Sequence, residues 1–191
     1  NSNLAQTTDT QTGQLATNAL ETLAVKGRAP KTGYSRDQFG NGWAKSRECD
    51  TRNIILARDL TSTKVENCKV MSGILDDPYT GKTIQFVRGA GTSDDVQIDH
   101  VVALSNAWQT GAFQLSADRR VELANDPLEL LAVDGPANQQ KSDGDAATWL
   151  PSNKLFRCQY VARQITVKQK YELWVTEAEK SAMQRILASC P

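Results

Sequence analysis

Residues 96–102 read VQIDHVV, four aliphatic side chains (Val96, Ile98, Val101, Val102) around one Asp99–His100 pair. The β-branched content and short length predict a strand. Further on, LELLAV predicts a second strand over 128–133, entered through the turn chemistry of Asn125-Asp126-Pro127. GPANQQKSDGD follows from residue 135, and a proline in the first turn of a helix sacrifices no hydrogen bond. A helix is therefore expected near 136–142. Between the two strands the apolar spacing predicts helices at about 103–110 and 116–124.

The period differs outside this segment. Leu15, Ala19, Leu20 and Leu23 recur at helical spacing before Gly27, so a first helix is expected over 13–26. Residues 28–47 carry Tyr34, Phe39 and Trp43 among prolines and glycines and read as an ordered aromatic loop. Asp50 is placed to cap a helix through Leu60. Residues 64–75 and 82–88 look like two strands joined by DDPYTG, a β-hairpin. Two more helices are expected at about 153–171 and 176–189. The expected organisation is a flexible N-terminal arm at 1–12 and one domain at 13–191.

The chemistry concentrates in residues 96–151. His100 is the single histidine of the chain. A carboxylate that holds a divalent cation, next to an imidazole that deprotonates water, is what phosphodiester hydrolysis requires. Asn138 sits on the helix that should face Asp99 and can offer a neutral oxygen ligand. Asn125, before the second strand, reads as a residue that ties the loop together. Lys141 lies one turn beyond Asn138 on the same helical face, and either meets a substrate phosphate or stays solvated. Arg119 and Arg120 are the only arginines of the acidic middle. They suit a phosphate clamp or ion pairs to Asp118, Glu122 or Asp126. Arg157, Arg163, Lys168 and Lys170 could track a nucleic-acid backbone. Trp108, Trp149 and Trp174 read as core residues.

Taken together, IDHVVAL, NDPLELL and ANQQKSDGDAATWLP resemble the HNH (ββα-metal) nuclease motif. More closely, they are similar to the HNH domains of secreted actinobacterial proteins related to the nuclease half of GmrSD-type restriction enzymes. CDTRNIILARDL and SGILDDPYTGKTIQF extend the resemblance to about residues 34–151. It implies an α+β fold, a ββα-metal core (His-Me finger) at about 96–142 with added helices and a hairpin. It implies His100 as general base, Asn125 counted with the catalytic set as the residue ordering the motif, and Asp99 and Asn138 as metal ligands. The third motif letter is often His and is Asn138 here; a proline-like position after DHVV is Ala103. The cofactor implied is Mg²⁺, with Mn²⁺ or another divalent cation able to substitute. The partner implied is nucleic acid, DNA ahead of RNA, cut by a monomer with low sequence preference. The rival classes are an exported binding domain without activity and a nuclease toxin or defence domain with a protein partner.

Composition narrows the choice. The 191 residues are 39% hydrophobic and 23% charged, ordinary for a globular chain. No apolar run reaches the ~18 residues of a membrane span. The zero net charge hides a segregation: residues 91–150 hold three basic and ten acidic residues, between flanks of net positive charge. Such a pattern suits a cation site serving a polyanion. The cysteines at 49, 68, 158 and 190 form no CxxC pair, which argues against zinc and for two disulfides in an oxidising compartment. Pairing neighbours in sequence gives Cys49–Cys68 and Cys158–Cys190; two other connectivities remain open. The first residue, Asn1, fits a cleaved export signal.

Overall fold

The computed structural model describes residues 13–190; the expected arm at 1–12 lies outside them. The fold is mixed α and β, with three small antiparallel sheets and seven α-helices among the described residues. Helix α1 occupies residues 13–22, shorter than the spacing predicted. Beyond it the chain extends, because Val25 bridges Val175 instead of continuing the helix.

Strands β1 (Lys45–Ser46) and β2 (Cys49–Asp50) form a minimal hairpin. Asp50 then caps α2 (Thr51–Asp59), its carboxylate accepting from the Asn53 amide at 2.8 Å, as the sequence led one to expect.

The expected hairpin is a three-stranded sheet, β3 (Thr61–Glu66), β4 (Lys69–Asp76) and β5 (Thr83–Val87). Residues 64–75 thus hold two strands and a turn. Asn67 (φ 49°) and Cys68 (φ 65°) make a two-residue connection with both φ values positive, the twist a hairpin favours. Cys68 stands where glycine usually signals such a turn. Its disulfide to Cys49 anchors the turn to β2.

The central layer is β6 (Val96–His100) paired with β7 (Leu130–Asp134), with Asp99 opposite Leu131 and His100 opposite Leu130. Helices α3 (Leu104–Gln109) and α4 (Ala117–Ala124) form the connection between them. Helix α5 (Gly135–Lys141) follows β7 directly. Asp134 caps it, accepting from the Ala137 amide at 2.9 Å, with Pro136 in the first turn. A Cβ on Gly135 would lie 2.0 Å from the Asp94 carbonyl oxygen, so only glycine lets α5 approach the start of β6 this closely.

Helices α6 (Arg157–Lys170) and α7 (Glu177–Ala188) close the molecule, and Cys158 and Cys190 join the start of one to the end of the other. Leu20, Val101, Val133, Val161, Ile165 and Met183 form one core between α1, the central strands and α6–α7. Ile55, Leu56, Val96, Ile98 and Leu130 form a second beneath α2 and the three-stranded sheet. Each such side chain, fully buried, is worth about 1.5–3 kcal/mol. Both faces of the β6–β7 pair are therefore packed, which fixes the strand register and with it the site. Trp108 and Trp174 are buried and Trp149 is half-buried, matching their reading as core residues.

Candidate active site

Strand β6 ends at His100, and side chains adjacent on a strand leave on opposite faces. Asp99 and Gln97 point toward α5, while His100 turns toward the end of α4. At the strand terminus both directions open onto one cleft of about 390 Å³, whose lining includes Asp99, His100 and Asn138. The three residues that the sequence singled out thus meet.

His100 is held on two sides. Its Nε2 lies 3.0 Å from the Ala124 carbonyl at the open end of α4. A carbonyl only accepts, so Nε2 carries the hydrogen and Nδ1 holds a free lone pair. Trp43 stacks on the ring at 5.4 Å between centroids and 18° between planes. Burial, followed by the positive charge of Arg36, lowers the His100 pKa to about 3; Lys141 adds a smaller lowering and the Ala124 bond opposes it. The imidazole is neutral at ordinary pH.

Asn125 explains how Trp43 is held in place. Its amide nitrogen donates to the Val121 carbonyl at 2.9 Å, capping α4. Its Oδ1 accepts from the Ala44 amide at 2.9 Å and from Thr51 Oγ1 at 2.8 Å. All its polar atoms are occupied in joining the end of α4 to the residue after Trp43 and to the start of α2.

Between β6 and α5 run two polar rungs. Asn138 Nδ2 donates to Gln97 Oε1 at 2.9 Å, and Gln97 Nε2 in turn donates to the Asp94 carbonyl at 3.3 Å. The Asn138 amide is thereby oriented with its own oxygen left over as an acceptor. Lys141 Nζ donates to Asp99 Oδ2 at 2.7 Å and to the His100 and Val101 carbonyls at 2.7 and 3.0 Å. The buried Tyr79 hydroxyl donates to the same Asp99 oxygen. Burial pushes the Tyr79 pKa well up, which keeps it a donor. Both contacts fall on Oδ2, so Oδ1 is the Asp99 oxygen that remains for the cleft.

Lys141 therefore corrects the sequence reading. Its side chain is 0% exposed, neither solvated nor able to meet a substrate phosphate. Of the two readings of the arginine pair, the phosphate clamp is corrected, and Arg119 makes one of the ion pairs offered as the alternative. Arg120 is buried against the Gln38 and Leu115 carbonyls and stacks over Trp108. Arg119 pairs with Glu122 at 2.8 Å and lies over Tyr171. Neither lines the cleft. On α6, Arg157 and Arg163 are spent on backbone carbonyls, and Lys168 and Lys170 pair with Glu179 and Asp126.

The cations at the cleft are others, Arg36 and Arg52. Arg52 donates to the Ser93 and Val96 carbonyls. Arg36 is exposed, and among the described residues it pairs with no carboxylate. Sequence reasoning missed Arg36 because the loop around it has no period. Gln97 could have been found: two residues before Asp99, it shares a strand face with it. Among the described residues no three His, Cys, Asp or Glu side chains group so as to hold a metal ion.

Over 178 residues the chain is 39% identical to an uncharacterized secreted protein of Arthroderma benhamiae, covering 92% of this chain and 84% of that one. With two closed disulfides, this places the chain among exported proteins. No solved structure matches it significantly. Residues 44–186 match the family described as GmrSD restriction endonucleases, C-terminal domain, a segment holding Asp99, His100, Asn125 and Asn138. On that match the chain belongs to the GmrSD C-terminal domain family, which gives it a nuclease-related role.

Proposed function

We propose that the protein is a secreted, metal-dependent endonuclease that hydrolyses phosphodiester bonds, DNA ahead of RNA, with little sequence preference. The observation that carries this reading is the tautomer of His100: an unprotonated Nδ1 in the same cleft as Asp99 Oδ1 and Asn138 Oδ1. On this reading β6, β7 and α5 are a ββα-metal core.

The donor set fits a hard divalent cation. One carboxylate and one amide oxygen are few ligands, and Mg²⁺ prefers to keep several waters. Asp99 and Asn138 would hold it, and when bound it supplies positive charge to the oxygens of the scissile phosphate.

His100 Nδ1 takes a proton from a water molecule. The water oxygen forms the new bond to phosphorus, the bond to the 3′ oxygen breaks, and that oxygen leaves with the electron pair. The Ala124 carbonyl keeps the imidazole in the productive tautomer and Trp43 keeps its plane. Arg36, exposed at the mouth, binds a phosphate oxygen and takes the part expected of Arg119, Arg120 and Lys141. Asn125 acts by holding Trp43 and the end of α4 in place.

The test is supercoiled plasmid incubated with protein and Mg²⁺. Nicking that stops with chelator and with His100→Ala is expected. Intact plasmid, and intact single-stranded RNA, under all divalent cations would reject the reading in favour of a binding domain.

A further inference from the structure

The charge around Asp99 does not suit a free cation. The cleft lining carries two carboxylates, Asp99 and Asp143, and two guanidiniums, Arg36 and Arg52. Each carboxylate already has an ammonium partner: Lys141 on Asp99 at 2.7 Å, fully buried, and Lys31 on Asp143 at 3.4 Å. The remaining candidate ligands, His100 and Asn138, are neutral. The charges of the lining cancel, and the two lysines paired to its carboxylates from outside bring the total to net positive before any cation arrives.

A divalent ion entering this cleft meets one carboxylate oxygen whose charge Lys141 has cancelled. Cation affinity follows the number of charged ligands. A phosphodiester reverses the balance: its anionic oxygens answer Arg36 and supply the missing negative ligand. We infer that the free protein leaves its cation site incomplete and that the phosphodiester substrate completes it, cation and nucleic acid binding together. This rests on the reading of Asp99 and Asn138 as cation ligands. Lys141 is then a positioning residue with a second effect, since it fixes Asp99 and also keeps the site from filling without substrate. The thermodynamic signature is reciprocal: nucleic acid raises cation affinity by the factor by which the cation raises nucleic-acid affinity.

Mn²⁺ binding followed by electron paramagnetic resonance tests this on the full chain. For the free protein the expected dissociation constant is about 10⁻³ M or weaker, the weak end of what ligand charge count allows. A DNA oligonucleotide added to His100→Ala, which cannot cleave it, should tighten Mn²⁺ binding at least about tenfold after subtracting uptake by DNA alone. The methylphosphonate oligonucleotide of the same sequence, which is uncharged, should not. Asn138→Asp, half-buried and adding one charge, should tighten Mn²⁺ binding to the free protein by at least about tenfold. Micromolar binding to the free wild type that Asp99→Asn abolishes would overturn the inference and leave the metal site standing. No Mn²⁺ uptake in either the DNA or the Asn138→Asp arm would overturn both.

Discussion

Gln97 and Asn138 face each other across β6 and α5 with their amides 2.9 Å apart, the glutamine oxygen accepting from the asparagine nitrogen. An amide rotated by half a turn would present nitrogen, a donor, to the cleft instead of oxygen. Gln97→Leu should raise the Mg²⁺ concentration for half-maximal nicking by about 10–100-fold, the usual weight of a partner behind a ligand. Gln97→Glu, which can still accept from Asn138, should restore it. A leucine variant with unchanged Mg²⁺ dependence would assign the bond to packing alone.

His100→Ala should cut nicking by about 10²–10⁴, the usual contribution of a general base. Excess Mg²⁺ should not restore it, because no second histidine exists to accept the proton. Asn138→Ala should respond in the opposite way, losing activity at low Mg²⁺ and recovering part of it at high Mg²⁺. Rate against Mg²⁺ concentration for the two variants separates a lost base from a lost ligand.

Lys141→Ala should act on folding before it acts on catalysis. It leaves buried Asp99 without its counter-charge and the His100 and Val101 carbonyls without their shared donor. Breaking a buried pair in this way costs about 3–5 kcal/mol. Urea unfolding should show a loss of that order, whereas Lys31→Ala, on an exposed pair, should change stability little.

Acid stability should carry the mark of His100. Its folded pKa of about 3 lies below the unfolded value of 6.5, so the unfolded chain binds the proton first. The stability it contributes is complete above pH 6.5 and is lost as pH falls toward about 3. Within that window the unfolding free energy should fall by up to about 1.4 kcal/mol per pH unit from this group. Unfolding in chelator at several pH values should show the slope in wild type and a shallower one in His100→Gln.

What the sequence disclosed was whatever has a period or a cap. Strand β6, β7, helix α5 and the Asp50 cap were legible because aliphatic runs, Pro136 and a carboxylate before Thr51 act locally. The meeting of Asp99, His100 and Asn138 was legible through spacing. Depth was not. Lys141 shares a helix face with Asn138, but only the packed fold shows that one reaches the cleft edge while the other ends at Asp99 behind it. The Asn67-Cys68 turn was missed because cysteine carries no turn preference and its φ of 65° is imposed by context, with the Cys49 disulfide on the same residue. Arg36 was unmarked, and Trp43 was seen only as part of an aromatic loop and not over His100, because a loop places side chains by tertiary bonds, for Trp43 those of Asn125 to its neighbours, that leave no local trace.

The loop that Asn125 tethers straddles the border of the family segment. The match to the Arthroderma protein spans 178 residues of this chain, whereas the segment matched by the family opens at residue 44, one position after Trp43, and stops at 186, four before Cys190. The ring that covers the imidazole, the exposed guanidinium at the cleft mouth and one half of a disulfide all lie beyond its borders. The family segment is therefore shorter than the length of chain that builds the cleft. The family segment thus carries the floor of the cleft, Asp99, His100 and Asn138, while the roof over His100 is built by residues outside it.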